Sequence, residues 1–379
     1  MTNQPILHNI RILDFTWALA GPYATRLLAD FGAEVVKVQS PFMMAADDAF
    51  ARGYYNTWNR NKLGITLNLN KTEGVTLAKR LVAICDAVVE NFTPRVMSNW
   101  GLDYASLKKI KPDIIMVSMS VMGQQSNYSG YGPTVHALSG MTRLTSFPGR
   151  PPIGPGFSYA DHVAGLYASM GLLGALEERR RTGKGQHVDI SEVAAMVSLL
   201  VDINDEQLKP LGNDSLIAAP HNVYRCKGEN RWYAVAVFTE EEWGGFKKAL
   251  GNPAWADDSK FATLSGRLKN REKLDELITA WTQEHTAEEV MTLLQENGVA
   301  ASVVQDAVDL ANAPRLKERG FFIEDTGTPF IDATPIRMSA AKAEYRRAPS
   351  LGQDNDYVYG QLLGVSVKER AELKEAGVI

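Results

Sequence analysis

The segment from Ile10 to Val38 decides the fold. IRILDF (10–15) reads as a short buried strand, and GPYATRLLADF (21–31) as a helix. Gly32 supplies the glycine that ends such a helix, and EVVKV (34–38) is the next strand. The rhythm continues outward. ITLNL (65–69) reads as a third strand, and Thr72 to Cys85 has helical periodicity, with Leu77, Leu81 and Ile84 on one face. Further strands are expected at 87–90 and 114–118. Parallel neighbours need crossover connections, and alternating helices supply them, so this pattern implies a parallel sheet covered on both faces. The expected class is α/β, with a Rossmann-like parallel sheet in a large domain.

From Ser120 to Ser158 the chain turns to Gly, Pro, Ser and Tyr, including PGRPPIGP (148–155), which marks a linker or the irregular wall of a site. The apolar run 163–176 reads as a helix buried nearly all round. It closes in Arg179, Arg180 and Arg181 before Gly183, cations that suit a helix C-terminus as well as they suit a phosphate. After a composition shift near 201–220, a strand at 232–238 and helices at 240–250, 271–285 and 287–297 read as a smaller α+β domain. A charged helix is expected at 367–375.

Composition narrows the function. The 379 residues are 45% hydrophobic and 22% charged, enough for a sizeable core. Net charge is −4 and the basic residues are scattered, so the basic stripe of a nucleic-acid binder is absent. No apolar run approaches the roughly 18 residues that cross a bilayer. Met1 to His8 has neither a basic nor an apolar secretory segment. Cys85 and Cys226 have no partner at metal or redox spacing. A reduced, cytoplasmic enzyme is expected. The turn after the first strand lacks G-x-G-x-x-G, and there is no Walker A, H-E-x-x-H or G-x-S-x-G sequence.

Six local signatures remain: Asp14-Phe15-Thr16 with Ala20-Gly21-Pro22; Asn59-Arg60-Asn61-Lys62; Glu90-Asn91-Phe92-Thr93-Pro94; Tyr159-Ala160-Asp161-His162 leading to Gly165; Arg181-Thr182-Gly183-Lys184-Gly185-Gln186 leading to Ser191; and Ala348-Pro349-Ser350-Leu351-Gly352-Gln353-Asp354. Taken alone, Asp161 reads first as a cap for a helix starting at Val163. Lys62 reads equally as a solvated lysine or as an anion ligand at the mouth of a parallel sheet. His136 and His162 read as packed histidines.

In this order and spacing the signatures resemble the class III CoA-transferase family (formyl-CoA transferase, carnitine CoA-transferase; CaiB/BaiF type), over about residues 8 to 379. The resemblance implies that Trp17, Ala18, Leu19, Ala20, Lys62, Asn91 and Phe92 line a coenzyme A site, with Arg60 beside them. It implies Asp161 as a nucleophile on an acyl-CoA thioester, with backbone N–H groups from 149–156 available for the oxyanion. CoA is then a substrate, exchanged between an acyl-CoA (succinyl-CoA is common in the family) and a free carboxylic acid, with no tightly bound cofactor and no metal. It further implies a large CoA-binding domain of 1–202 with 321–379, a small domain of 203–320, and an interlocked homodimer.

Two alternatives stay open: a CoA-ester racemase or isomerase of the α-methylacyl-CoA racemase kind, and one subunit of a heteromeric CoA-transferase. The Gly-His-Asp that racemases place ahead of Ser139-Gly140 is replaced here by Gly130-Tyr131-Gly132. The chain also lacks a run of four glycines, and Gln39-Ser40-Pro41-Phe42-Met43-Met44 stands where many relatives carry an acidic residue and then Gly-Asp. Both departures speak against formate and oxalate. Phe42, Met43 and Met44 read either as packing or as a wall for a larger acyl group.

Overall fold

A computed structural model describes residues 5–42, 49–200, 212–325 and 328–379. The chain divides into two compact units, the first containing the described residues of 1–143, 154–204 and 317–379, the second those of 144–153 and 205–316. The segment 144–153 thus groups with the second unit, whereas the expected small domain of 203–320 did not include it.

In the first unit β1 (Arg11–Asp14), β2 (Glu34–Gln39), β3 (Leu63–Thr66), β4 (Ala87–Glu90), β5 (Ile115–Ser120) and β6 (His187–Ser191) form one sheet in the order β3-β2-β1-β4-β5-β6. Every neighbouring pair is parallel. The crossovers are α1 (Ala20–Asp30), α2 (Ala49–Asn59), α3 (Thr72–Ile84), α4 (Val96–Asn99), α5 (Tyr104–Ile110), α6 (Gly132–Leu138), α7 (Met141–Leu144) and α8 (Tyr159–Thr182), with α9 (Glu192–Val197) following the last strand.

Strand side chains alternate between faces, so two cores form. Leu13, Val36, Val88 and Met116 pack with α3, α5 and the C-terminal residues Val358, Tyr359 and Val378. Ile12, Val35, Ala87, Val89, Ile115 and Val117 pack under α1 and α8. The sheet order reverses between β1 and β4, and a crevice opens beyond the C-terminal ends of such a strand pair. Trp17 and Asn91 leave the sheet at this point.

The second unit is a three-stranded antiparallel sheet of β7 (His221–Arg225), β8 (Trp232–Ala236) and β9 (Ala300–Val303). The helices α10 (Glu240–Ala249), α11 (Leu264–Lys269), α12 (Arg271–Thr282) and α13 (Ala287–Glu296) accompany it. Its core gathers Trp243, Phe246, Phe261, Leu274, Ile278 and Leu294. Thr239 and Thr286 start α10 and α13 with reciprocal caps to Glu242 and Glu289.

Two readings of α8 change. It begins at Tyr159, with Ser158 at the N-cap, so Asp161 lies inside the first turn and not at the cap position. Nor is the helix buried all round. Ala160, Ala164, Gly165, Ala168, Leu172 and Ala175 form its buried stripe, while Leu166, Met170 and Leu173 are 51%, 61% and 44% exposed. The apolar run covers the whole circumference, but among the described residues of this unit one face is buried and the other exposed. On that face α8 meets α1 closely: a Cβ at Gly165 would lie 2.8 Å from the Ala20 carbonyl oxygen and 2.8 Å from the Tyr23 ring. The Ser169 hydroxyl donates to the Ala24 carbonyl at 3.0 Å. The terminal arginines form ion pairs, Arg179 with Asp86 and Arg180 with Glu177, both at 2.8 Å.

A branched side chain at Gly165 must push the two helices apart. Gly165→Val is expected to cost about 1–3 kcal/mol in chemical denaturation, since backbone sits on one side of the added atoms.

Candidate active site

The site grows from a buried carboxylate at the end of β1. Asp14 Oδ1 accepts from the Thr16 N–H at 2.8 Å and the Thr16 hydroxyl at 2.5 Å, and Oδ2 accepts from the Thr25 hydroxyl at 2.7 Å. Two ammonium groups share this carboxylate: Lys62 at 3.0 Å and Lys37 at 3.4 Å. Burial alone would raise the Asp14 pKa, but Lys37, Lys62 and the two hydroxyls outweigh it and hold the carboxyl far below its usual range. Burial lowers Lys62; Asp14 opposes this while Lys37 adds to it, and the result is about 7.

Lys62, expected at the coenzyme A site, is turned into the protein. Its three N–H donors go to Asp14, the Pro22 carbonyl and Asn59 Oδ1, each at 3.0 Å, and its side chain is fully buried. Arg60, also expected there, is turned inward as well. It forks onto Asp30 at 2.9 and 2.6 Å, pairs with Asp332 at 2.9 Å, and is sealed from solvent. Sequence places both cations immediately before a strand, but only packing shows that they point into the protein.

Asn91 also has a different task. Its Oδ1 accepts from the Trp17 N–H at 2.7 Å and its Nδ2 donates to the Trp17 carbonyl at 2.8 Å. The side chain is spent on fixing the turn after β1. In that turn Ala18 takes φ +59°, a left-handed conformation that a non-glycine residue adopts at a cost. Leu19 and Ala20 are buried at the start of α1.

Trp17, Ala18 and Phe92 do line a cavity, of about 850 Å³. Its wall combines Phe15, Phe42, Tyr54, Tyr55, Leu69 and Trp100 with the amides of Gln39, Asn56, Asn59, Asn68 and Asn70, and is completed by Ala348–Leu351. Lys37, the one cation on this described wall, is occupied by the Thr16 carbonyl and Asp14. Phe42 belongs to the wall and is strongly exposed, whereas Met43 and Met44 lie outside the described residues. A mainly apolar and aromatic cavity with amide groups suits a long, flexible ligand rich in amides.

Asp161 lies where this turn meets α8. The N–H groups of Ala20 and of Asp161 itself favour its charged form, but burial dominates and pushes its pKa up to about 6. An added Cβ on Gly132 would come within 2.4 Å of Asp161 Oδ2, so α6 presses its bare backbone onto the carboxylate. No described cation pairs with it. Tyr54 feels the charge of Asp161 while also lining the cavity, which links the two. His136 accepts the Ala160 N–H at Nε2 at 3.0 Å, and burial lowers its pKa, which keeps the acceptor neutral. His162 donates from Nδ1 to the Ser158 carbonyl at 2.6 Å and stacks on Phe157, with Trp58 and Tyr23 edge-on or tilted around it.

Sequence reading passes over Asp14 as a hub, Lys37, Tyr54 and Gly132. Asp14 and the segment 348–351 stand inside quoted signatures. The others carry no local signal, because their roles arise from residues far along the chain.

Lys62→Met removes one partner of a buried ion network and is expected to cost about 3–5 kcal/mol in equilibrium unfolding. A lysine that merely held a ligand phosphate would leave the unfolding midpoint in place.

Comparison with known proteins agrees with this geometry. Residues 7–355 match the profile described as CoA-transferase family III. The succinyl-CoA–D-citramalate CoA-transferase of Chloroflexus aurantiacus is 34% identical, covering 98% of each chain. The succinyl-CoA:glutarate CoA-transferase of Homo sapiens is 30% identical over all of this chain and 91% of that one. A crystal structure of a CaiB/BaiF family protein from Brucella suis superposes with TM-score 0.87 at 30% identity, covering 95% of this chain and all of that one. A buried, cation-free aspartate beside an amide-lined cavity, in a chain matched along nearly its whole length, makes this protein a CoA-transferase of family III.

Proposed function

We propose that the chain moves CoA from succinyl-CoA to a free dicarboxylic acid through a covalent intermediate on Asp161. The observation that carries this reading is Asp161 itself: a buried carboxylate without a counter-ion, adjoining the Ala20 amide and connected through Tyr54 to the cavity. An ion-paired carboxylate is a poor nucleophile, whereas one that lacks solvent and cation is destabilised as an anion and readier to attack.

An oxygen of Asp161 adds to the thioester carbonyl, and the tetrahedral centre expels the CoA thiolate to leave a mixed anhydride. The thiolate then attacks the Asp161 carbonyl and releases the donor acid as carboxylate, giving an aspartyl-CoA thioester. The acceptor carboxylate attacks this thioester, and the thiolate released in turn takes the acceptor's acyl group and frees Asp161. Carboxylates and thiolate are already anionic, so the sequence consumes no net proton. The Ala20 N–H is the donor placed to steady charge at the Asp161 carboxyl. The turn from Trp17 to Ala20, with Phe92, offers the cavity wall along which the pantetheine arm runs toward Asp161. CoA acts throughout as substrate. The choice of a dicarboxylic acid follows the citramalate and glutarate enzymes similar to this chain.

The exposed stripe of Leu166, Met170 and Leu173 supports a second copy of the chain as its cover. Relatives named as the alpha and beta subunits of a succinyl-CoA–L-malate CoA-transferase keep a different, related chain in view as the partner.

Intact-protein mass spectrometry after mixing with succinyl-CoA is expected to show a CoA adduct on Asp161 that disappears in Asp161→Ala. The nucleophile must be ionised, so kcat/KM is expected to fall about tenfold per pH unit below about 6. Light scattering of the purified chain is expected to give twice its 41.7 kDa mass. Charged substitutions such as Met170→Glu should lower that value toward the monomer.

A further inference from the structure

A second buried carboxylate stands beside Asp161 without a task in this chemistry. Glu192 is the first residue of α9, with 7% of its surface exposed. Among the described residues it makes no hydrogen bond and no ion pair, whereas Asp14, Glu90 and Asp189 near the sheet's C-terminal edge all have partners. Asp14 has two lysines, Glu90 accepts the Phe92 N–H at 2.8 Å, and Asp189 accepts the Gln124 N–H at 3.0 Å. Packing sets its position. Val193 and Met196 of α9 join Ala160 and Val163 of α8, with Val121 and Val135, in one apolar cluster. The first turns of the two helices therefore share a dry environment, and Asp161 and Glu192 adjoin these cluster residues in the chain.

The titratable groups on the elements packed against α9 are few. The start of α8 brings Asp161 and His162, α6 brings His136, and β6 brings Asp189 and His187. His136 is committed to the Ala160 N–H, His162 to the Ser158 carbonyl, and His187 to the Ser118 hydroxyl. Burial first, and the charge of Asp161 second, raise Glu192 to about 7, with no other group registering on it.

We propose that Glu192 is the proton reservoir of the nucleophile, holding a proton while Asp161 is a free carboxylate and releasing it to solvent when Asp161 becomes a neutral anhydride or thioester. The inference rests on the reading of Asp161 as nucleophile. The balance is simple. Acyl transfer exchanges one carboxylate for another and releases no proton, while covalent capture removes the negative charge of Asp161. Burial still favours the protonated form, but the added repulsion from Asp161 is lost, so in a fraction of the molecules the Glu192 O–H bond breaks and the proton leaves to water. When the acceptor regenerates the Asp161 carboxylate, Glu192 takes a proton back. Two interacting carboxyls that share a proton titrate as a pair, and here chemistry on one member replaces titration of it. Glu192 is thus a positioning residue, acting through the charge state of Asp161.

The test is stopped-flow mixing of the full-length enzyme with succinyl-CoA in weak buffer near pH 7, with an indicator dye, and intact mass read at matched times. The wild type is expected to release a fraction of a proton for each adduct formed. Glu192→Gln is expected to form the adduct with release reduced to the small part that the protonated fraction of Asp161 itself gives up. Adduct formation with no release in the wild type, or equal release in both, overturns the proposal. Absence of any adduct in the wild type defeats the reading of Asp161, and this inference with it. A wild-type series needs no folded variant: release should shrink as the starting pH rises above about 7, because Glu192 is then already ionised. Release that stays constant across that range overturns the proposal.

Discussion

The Asp14 carboxylate is the constraint on which the site depends. A charge at the end of a central strand, out of reach of water, must be matched inside the protein. Lys62 from the start of β3 and Lys37 from β2 supply that match, while Thr16 and Thr25 fill the remaining acceptor positions. These partners bind the turn after β1 to the sheet and to α1. Asn91 then clamps the Trp17 peptide from the end of β4. The cavity wall and the Ala20 amide at Asp161 are two ends of the same turn, so the internal salt bridge sets the geometry of both.

Asp14 and Asp161 show how environment gives one residue type opposite behaviour. Both are buried. Asp14, between two ammonium groups, stays ionised far below the usual range, whereas Asp161 meets amides, aromatic rings and bare glycine backbone and is pushed up to about 6. The first arrangement holds structure. The second leaves a carboxylate whose stabilisation is incomplete, which is what a nucleophile toward a thioester requires. Placing the cations one layer deeper keeps them from quenching Asp161.

Small residues make that layering possible. Gly165 lets α8 approach the start of α1, and Gly132 lets α6 touch the Asp161 carboxylate. His136 ties α6 to the amide just before Asp161. The opposite face of α8, with Leu166, Met170 and Leu173, remains exposed among the described residues of its unit, so the helix that carries Asp161 also presents an apolar surface outward.

The sequence alone determined the alternation of strands and helices in the large unit. Local hydrophobic periodicity and the glycine after α1 are properties of short windows, and they placed β1, β2, β4 and α3 within a residue or two. It also made Asp161 legible, through a signature that survives in order along the chain. What only the tertiary structure decided is where each polar side chain points. Lys62 and Arg60 stand in a segment that reads as the mouth of a sheet, yet both turn inward, because Asp14 and Asp30 are buried on neighbouring elements and each must be neutralised. Asn91 turns to the Trp17 backbone, and these partners are 74 residues apart in the chain. Glu192 had no legible signal, since its meaning arises from a carboxylate on another helix. Periodicity records which face of an element is dry. The partner of a buried charge is set by long-range packing, and no window of sequence contains both.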